Sequence, residues 1–400
     1  MIPASDFQVP CSAANEAALG RSLRVWRWFK GEFLQLSEQS AAGHSNKLRN
    51  CSAVELEPLT HEIDWKRVAG EVSEGLTEGF ETDGSDGRRV VPLVGPPGSG
   101  IAEMLAALAQ ERQSPLLEAP ETDRVLGEMD AEDLDLTAWD ASGDSMLVIP
   151  SLERFYLRHE SGLTLVRSLI ERLASGGRVL VGCDSWAWAF LQQAAGIEDM
   201  LGPPMTLAPF DAPRLDAWLR GVYDLQQIEF VQRGRDAPVF PDCSKGSDSE
   251  SEKSQPATSD LVKSFAAHSR GNPGVALALW TSCLRICDPD SDADGQDDDT
   301  SAGSTLWLVP PSELEVHAPD NGRNRIERFL LHTLLQHGGL SLATLVTLLP
   351  FSREQICRRL AELRLAGAVA ERDGRFQVTL TAYPQIRRDL VGEGFLGDAF

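Results

Sequence analysis

Residues 90–109 read VVPLVGPPGSGIAEMLAALA, and this stretch is the strongest indication of the fold class. Val90–Val94 is an apolar run of strand length. The next six residues, GPPGSG, are all glycine, proline or serine. The alanine- and leucine-rich segment from Ile101 onward has the composition of a helix. We therefore predict a buried strand, a tight loop and a helix, in that order.

The loop has the glycine spacing of the phosphate-binding motif G-x-x-x-x-G-K-[ST]. Its backbone part is retained, but the lysine position holds Ile101 and the Ser/Thr position holds Ala102. These two residues supply neither the positive charge for phosphates nor the hydroxyl for Mg²⁺. Losing such a charged contact costs about 1.5–3 kcal/mol, so we expect ATP or ADP to bind weakly at best. The candidate cofactor-binding residues are Gly95, Gly98, Ser99, Gly100, Ile101 and Ala102.

The composition is that of a globular protein with two or three domains. The chain has 400 residues, of which 42% are hydrophobic and 24% charged, and its net charge is -23. This charge argues against wholesale binding to nucleic acid or to anionic membranes. Seven cysteines without a C-x-x-C pair indicate reduced thiols and no metal site. With no signal peptide recognised at the N-terminus, we predict a cytoplasmic protein.

Strands and helices alternate after the loop. Apolar runs at Ser145–Ile149, Arg178–Cys183 and Met205–Ala208 predict strands, and helices are predicted at Ser161–Ala174 and from Ser185. Such alternation favours a parallel sheet that helices cover on both faces.

The C-terminal part predicts three helices followed by a hairpin that turns at Asp373–Gly374, which is the pattern of a winged helix. Ser352, with Gln355 three residues later, is the expected cap of the third helix. Phe329–Ser352 contains no Asp, Glu, Lys or Arg. The Gly338–Gly339 pair divides this stretch into two short helices, so we do not predict a membrane span.

These motifs resemble the AAA+/STAND-type P-loop ATPases, particularly those related to origin-recognition proteins. GPPGSG after an apolar strand is a signature of that superfamily, and SRGNPGVALALW at Ser269–Trp280 is similar to its lid segment. The resemblance covers roughly residues 64–390 and implies an α/β fold: a P-loop NTPase-like parallel sheet sandwiched by helices, a helical lid and a C-terminal winged-helix domain. We predict four parts: an N-terminal extension (1–60), the P-loop domain (61–210), the lid with disordered inserts at 241–259 and 288–304 (211–304), and the winged-helix domain (305–400).

The resemblance also identifies where catalytic residues would lie. Pro150 and Ser151 occupy the acidic Walker B positions, and Glu153 follows them. The sensor position matches Asp184 or Ser185, although Asp184 is equally suited to cap a helix. The lid arginine position holds Gly274, with Arg270 nearby. We therefore predict no catalytic residues, and a non-hydrolysing regulatory or scaffold protein that acts through protein contacts.

Two other functions stay open. The loop backbone could still bind nucleotide and act as a switch. The winged helix could bind DNA, since residues 323–390 contain 11 Arg against six acidic residues. The nucleic-acid candidates are Arg353, Arg358, Arg359 and Arg375.

We expect a protein partner, and self-association stays open. A basic amphipathic helix predicted at Arg21–Gln39 would pack on protein or lie on a membrane surface. Trp186 and Trp188, which follow the sensor strand, are predicted to be core or interface residues.

Overall fold

The computed structural model describes residues 1–10, 48–59, 63–81, 89–127, 129–140, 146–223, 225, 227–235, 237–241, 258–287, 304–314, 324–398 and 400. The predicted helix at Arg21–Gln39 lies outside these residues, and the two predicted inserts lie almost entirely outside them.

The chain divides into two compact units. Unit 1 contains residues 1–8, 63–208 and 315–400, and unit 2 contains residues 9–62 and 209–314. The four-part division expected from the sequence places its boundaries elsewhere and stays a prediction.

A five-stranded sheet forms the centre of unit 1. Its order is β1-β6-β3-β5-β4, and β3, β4, β5 and β6 run parallel while β1 joins the edge antiparallel. Leu116 extends the sheet beyond β4 through a parallel bridge to Val148. The strands are β1 (Ile2–Pro3), β3 (Val90–Gly95), β4 (Leu147–Ile149), β5 (Val179–Asp184) and β6 (Met205–Thr206).

Helices cover this sheet, which confirms the predicted α/β architecture. Every residue of β3 is buried. Met104, Leu105 and Leu108 of the following helix pack into the same core. The α-helices are α2 (Trp65–Glu81), α3 (Ile101–Arg112), α4 (Thr122–Leu126), α5 (Thr137–Asp140), α6 (Thr164–Ser175), α7 (Ser185–Ala195) and α8 (Ile197–Leu201). Short 3-10 helices lie at Ala4–Asp6, Ala131–Asp133, Leu152–Arg154 and Ser161–Leu163.

The C-terminal part of unit 1 has the predicted winged-helix arrangement. Ser352 and Gln355 form a capping box at the start of the third helix. Asp373 and Gly374, both with positive φ, turn the hairpin as predicted. The elements are α12 (Arg325–Gln336), α13 (Leu342–Leu348), α14 (Arg353–Leu365), β11 (Val369–Arg372), β12 (Arg375–Val378) and α15 (Tyr383–Gly392).

Phe329–Ser352 forms two helices joined by a turn, as predicted. Gly338 and Gly339 have φ values of 58° and 103°, which a helix does not allow. Within the part of the chain that the structure describes, no helix is both long and apolar enough to span a membrane.

Unit 2 contains a sheet as well as helices. Two helices flank the Gly271–Gly274 turn, and a five-stranded sheet of order β2-β9-β10-β7-β8 accompanies them. The sequence pattern did not predict this sheet. The strands are β2 (Leu48–Asn50), β7 (Ile228–Gln232), β8 (Ala237–Pro238), β9 (Leu284–Cys287) and β10 (Ser304–Leu308). The helices are α1 (Ala53–Leu56), α9 (Ala212–Val222), α10 (Asp260–Ser269) and α11 (Pro273–Cys283), with 3-10 helices at Glu57–Leu59 and Pro311–Glu313.

Candidate functional site

The glycine-rich loop joins β3 to α3, as the sequence predicts. Gly98 and Gly100 have φ values of 85° and 75°, a region that residues with a side chain rarely adopt. Ser99 N–H donates to the Pro96 carbonyl at 3.0 Å and closes the loop as a turn. Gly100 is the residue that precedes the first turn of α3. The backbone shape of the motif is therefore retained.

Ile101 does not point away from the protein as a phosphate-binding lysine would. Its Cδ1 lies 2.7 Å from where a Cβ on Gly95 would be, and Ser99 Oγ lies 2.6 Å from the same point. The Ile101 side chain is 5% exposed and belongs to the core cluster with Met104 and Leu105. The residue at the lysine position is therefore an apolar anchor, which holds the loop by packing into the core next to Gly95. Ala102 beside it offers no oxygen for a metal ion.

Trp65, the first residue of α2, packs against the other end of the loop. Its ring occupies the space that a Cβ on Gly100 would need. Any side chain at position 100 would meet this ring. Glycine is therefore required here for its positive φ and for the close approach of Trp65.

Asp184 lies beside the loop because β5 pairs with β3, with Asp184 opposite Gly95. Its Oδ1 accepts a hydrogen bond from Trp186 N–H at 2.9 Å, so the predicted cap of α7 is confirmed. Ser185, the other sensor candidate, is 2% exposed, and its hydroxyl donates to Asp398 Oδ2 at 2.5 Å. Both candidates therefore make structural contacts.

Glu153 reaches back to the same edge of the sheet. Its Oε2 accepts a hydrogen bond from Asp184 N–H at 3.1 Å. The sequence alone does not show this contact, because Glu153 lies in a 3-10 helix after β4 and not in the strand itself. Two carboxyl groups thus lie next to the strand that carries the loop, although neither occupies a Walker B position.

The environment of these two groups disfavours their charge. Burial raises the pKa of the Glu153 carboxyl. It also raises the pKa of Asp184 well above its usual value, and the negative charges of Glu153 and Asp398 add to this effect. A carboxyl group that resists ionisation is a poor ligand for Mg²⁺. Among the residues that the structure describes, no group of three or more His, Cys, Asp or Glu could hold a metal ion.

The winged helix packs over this carboxyl pair within unit 1. Tyr156 Oη donates to the Gln336 carbonyl at 2.9 Å, and Trp186 Nε1 donates to Tyr383 Oη at 3.1 Å. Trp186 and Trp188 are buried, as predicted for core or interface residues. Glu153 retains an exposed fraction of only 9%. Glu153, at this edge of the sheet, is therefore covered by protein.

The arginines proposed for nucleic acid fall into two pairs. Arg353 and Arg358 are exposed on α14. Arg359 forms ion pairs with Glu327 at 3.2 Å and Glu362 at 2.8 Å. Arg375 is half-buried and donates to the Gly339 carbonyl at 2.6 Å. The structure thus ties two of the four arginines to other parts of the winged helix.

The residues proposed for the lid lie in unit 2. Asn272 caps α11, since its Oδ1 accepts from the N–H groups of Gly274 and Val275 at 3.1 and 3.2 Å. Gly274 is part of the first turn of that helix and carries no side chain. Arg270 has a φ of 55° and ends α10.

No family model matches the chain, and no curated protein matches it either. Three similar solved structures are the ORC1 protein of Aeropyrum pernix in complex with DNA, PCH-2 of C. elegans and the ORC2 protein of Aeropyrum pernix with ADPNP and ADP. Their identities to this chain are 13%, 16% and 12%. The alignments cover 88%, 64% and 88% of this chain and 99%, 68% and 97% of those chains. The TM-scores are 0.32, 0.32 and 0.26, so these similarities are distant.

Proposed function

We propose that this chain is a P-loop protein of the AAA+/STAND kind that does not hydrolyse nucleotide and serves as a regulator or scaffold through protein contacts. The observation that supports it is the position of Ile101, which is buried over Gly95 where a catalytic site needs an exposed cation. Phosphoryl transfer depends on positioning and on charge stabilisation. An apolar anchor, an adjacent alanine and two carboxyl groups that resist ionisation provide neither.

The test compares the parent chain with an Ile101→Lys/Ala102→Thr variant, both as full chains. We expect no ATP turnover by the parent above a buffer blank. The variant should bind ATP at least about tenfold more tightly, because the longer lysine side chain can leave the core and restore one charged contact to phosphate. Turnover by the parent that disappears in a Glu153→Gln variant would overturn the proposal. Thermal unfolding of both proteins shows whether the buried lysine is tolerated.

A second candidate function is a nucleotide-dependent switch without hydrolysis. It is favoured by the intact loop conformation at Gly98 and Gly100, since backbone N–H groups at a helix N-terminus attract phosphate. Calorimetry with ADP at millimolar concentration tests it. Trp65 fluorescence in the parent is a second reporter, because the ring on Gly100 should respond to an occupied loop. A Trp65→Phe variant, which lacks this signal, is its control. Absence of heat and of any fluorescence change contradicts this function.

DNA binding through the winged helix is a third candidate, and it now depends on Arg353 and Arg358. An Arg353→Gln/Arg358→Gln variant should then lose duplex affinity and show a shallower salt dependence. Arg364, which pairs with Glu371 at 2.8 Å, provides the matched control in an Arg364→Gln variant. Equal duplex binding by the parent and the Arg353/Arg358 variant rules this function out.

A further inference from the structure

Unit 1 contains a small recess, and none of the residues that line it belongs to the glycine-rich loop. It lies where the 3-10 helix Leu152–Arg154 meets β12 and the turn after α12. Its polar lining consists of Thr122, Glu153, Arg154, Tyr156, His337 and Arg375. The enclosed part holds at most about one water molecule, so a larger group would lie at its mouth.

Two arginine residues line this recess. Arg154 is exposed and forms no ion pair with any residue that the structure describes. Arg375 is half-buried and uses one N–H to donate to the Gly339 carbonyl. Burial lowers the pKa of Arg375, and the nearby positive charge of Arg154 lowers it further. The two cations are thus close enough to repel one another.

His337 is the innermost polar group. It is 1% exposed, and neither ring nitrogen has a hydrogen-bond partner of normal geometry among the described residues. Burial lowers the pKa of His337 to about 3. A hydrogen bond with the Glu153 backbone raises this pKa, but by less than burial lowers it. The ring is therefore neutral near pH 7 and offers one N–H donor. A buried donor whose only hydrogen bond is poorly aligned loses part of the about 1–3 kcal/mol that a missing partner costs, which favours a ligand that accepts from it.

Among the described residues of the lining, Glu153 is the only acidic one, and the two arginines outnumber it. Burial also raises the pKa of its carboxyl group. Its carboxyl group accepts from Asp184 N–H, which belongs to the sheet edge. The recess is consequently positive, although the whole chain carries a net charge of -23. Guanidinium groups bind phosphate through paired N–H donors more readily than they bind chloride.

We propose that this recess binds a phosphate group, held between Arg154 and Arg375 with one oxygen directed toward His337. The group is free phosphate or the terminal phosphate of a small molecule whose remainder lies outside the recess, because the enclosed space holds only about one water molecule. The site is separate from the loop at Gly95–Gly100 and does not depend on the function proposed for that loop.

The test measures phosphate binding to the full chain by calorimetry and by the thermal unfolding midpoint. Sodium phosphate is titrated at constant ionic strength, with chloride as the exchanged anion. We expect saturable binding by the parent and at least a tenfold loss of affinity in Arg154→Gln and Arg375→Gln variants. An Arg372→Gln variant is the matched control, since Arg372 is exposed and lies opposite Arg375 in the hairpin register. It should bind as the parent does.

Two further measurements separate this site from the loop. Phosphate should shift the His337 ring resonances of the parent but not those of the Arg154→Gln variant. ADP binding that persists in the Arg154→Gln variant is assigned to the loop and not to the recess. The proposal is overturned if phosphate stabilises the parent no more than chloride does. It is equally overturned if Arg154→Gln, an exposed change that keeps the fold, leaves phosphate affinity unaltered.

Discussion

Ile101 changes the geometry of the loop as well as its charge. The sequence predicts the loss of the lysine, because a motif comparison needs only the residue at each position. It does not predict that the isoleucine packs over Gly95, since that depends on how β3 and α3 approach each other. The same limit applies to Glu153. Its charge was visible in the sequence, but its hydrogen bond to Asp184 N–H depends on the turn after β4.

Gly100 and Gly70 provide a matched pair of glycine substitutions. Gly100→Ala should destabilise the protein by about 1–3 kcal/mol, because φ is 75° and Trp65 occupies the space of the new methyl group. Gly70→Ala, inside α2 with no atom within 4 Å of the added Cβ, should stabilise by about 0.5–1 kcal/mol. Urea unfolding of the three proteins measures both changes. Equal stability of the parent and the Gly100→Ala variant would contradict the close contact with Trp65.

Glu153 should make stability fall as the pH rises. Its pKa is raised in the folded state, so the folded protein keeps a proton that the unfolded chain releases. The contribution of Glu153 to stability is highest below the unfolded pKa of about 4.5 and declines until the folded pKa is passed, by about 1.4 kcal/mol for each pKa unit of the shift. A Glu153→Gln variant keeps an acceptor for Asp184 N–H and removes this decline.

The measurement is the free energy of unfolding in urea between pH 4 and pH 8. Glu153→Gln should be more stable than the parent near pH 8, and the difference should shrink toward pH 4. Glu171, an exposed residue of α6, supplies the control, and Glu171→Gln should show no such trend. A parallel pH dependence of the parent and Glu153→Gln is the contrary outcome.

The elements with local signals were predictable from sequence. The capping box of Ser352 and Gln355 predicts the start of α14, and the Asp373–Gly374 pair predicts the hairpin turn; both are present. The segment Phe395–Asp398 carries no such signal. It is held by contacts to distant elements: Ser185 Oγ donates to Asp398, and the Leu396 carbonyl lies 3.0 Å from His332 Nε2. Local patterns cannot show pairs that lie 213 residues apart in the chain.

Asp398 should be the strongest single contribution of this segment to stability. Its side chain is fully buried, and its Oδ1 accepts from Arg387 Nε at 2.9 Å, while Tyr383 Oη donates to Oδ2 at 3.2 Å. Asp398→Asn leaves the Arg387 charge without its partner, so we expect a loss of about 3–5 kcal/mol. An Arg387→Met/Asp398→Asn double variant should recover part of this loss. Chemical denaturation of the two single variants and the double variant measures the coupling between Arg387 and Asp398. If the losses of the single variants simply add in the double variant, the ion pair does not contribute to stability.

At the scale of the whole molecule, the sequence predicted one unit far better than the other. Alternating strands and helices indicate the parallel sheet of unit 1, because each parallel neighbour follows a helix along the chain. The sheet of unit 2 joins strands from remote segments. Leu48 pairs with Cys287, and Ser304 pairs in parallel with Ile228. Short strands separated by long polar stretches give no local sign of these partners.

The two units should respond separately to local changes. Asp398→Asn removes an ion pair within unit 1, so it should lower the protection from hydrogen exchange of β3 and β5. Tyr223→Phe removes the hydrogen bond from Tyr223 Oη to the Leu59 carbonyl in unit 2, at a cost of about 1 kcal/mol. This change should lower protection in β7 and α11 instead.

Native-state hydrogen exchange of the full chain, followed by mass spectrometry, resolves these regions as separate peptides. Cooperative units in proteins exchange with their own opening free energies, and a substitution affects most strongly the unit that contains it. Each variant should therefore shift the peptides of one unit by more than those of the other. If both variants reduce protection equally in both units, the chain opens as a single cooperative body, and the division into units has no energetic meaning. A selective response would instead allow each candidate function to be tested in variants that perturb only the unit concerned.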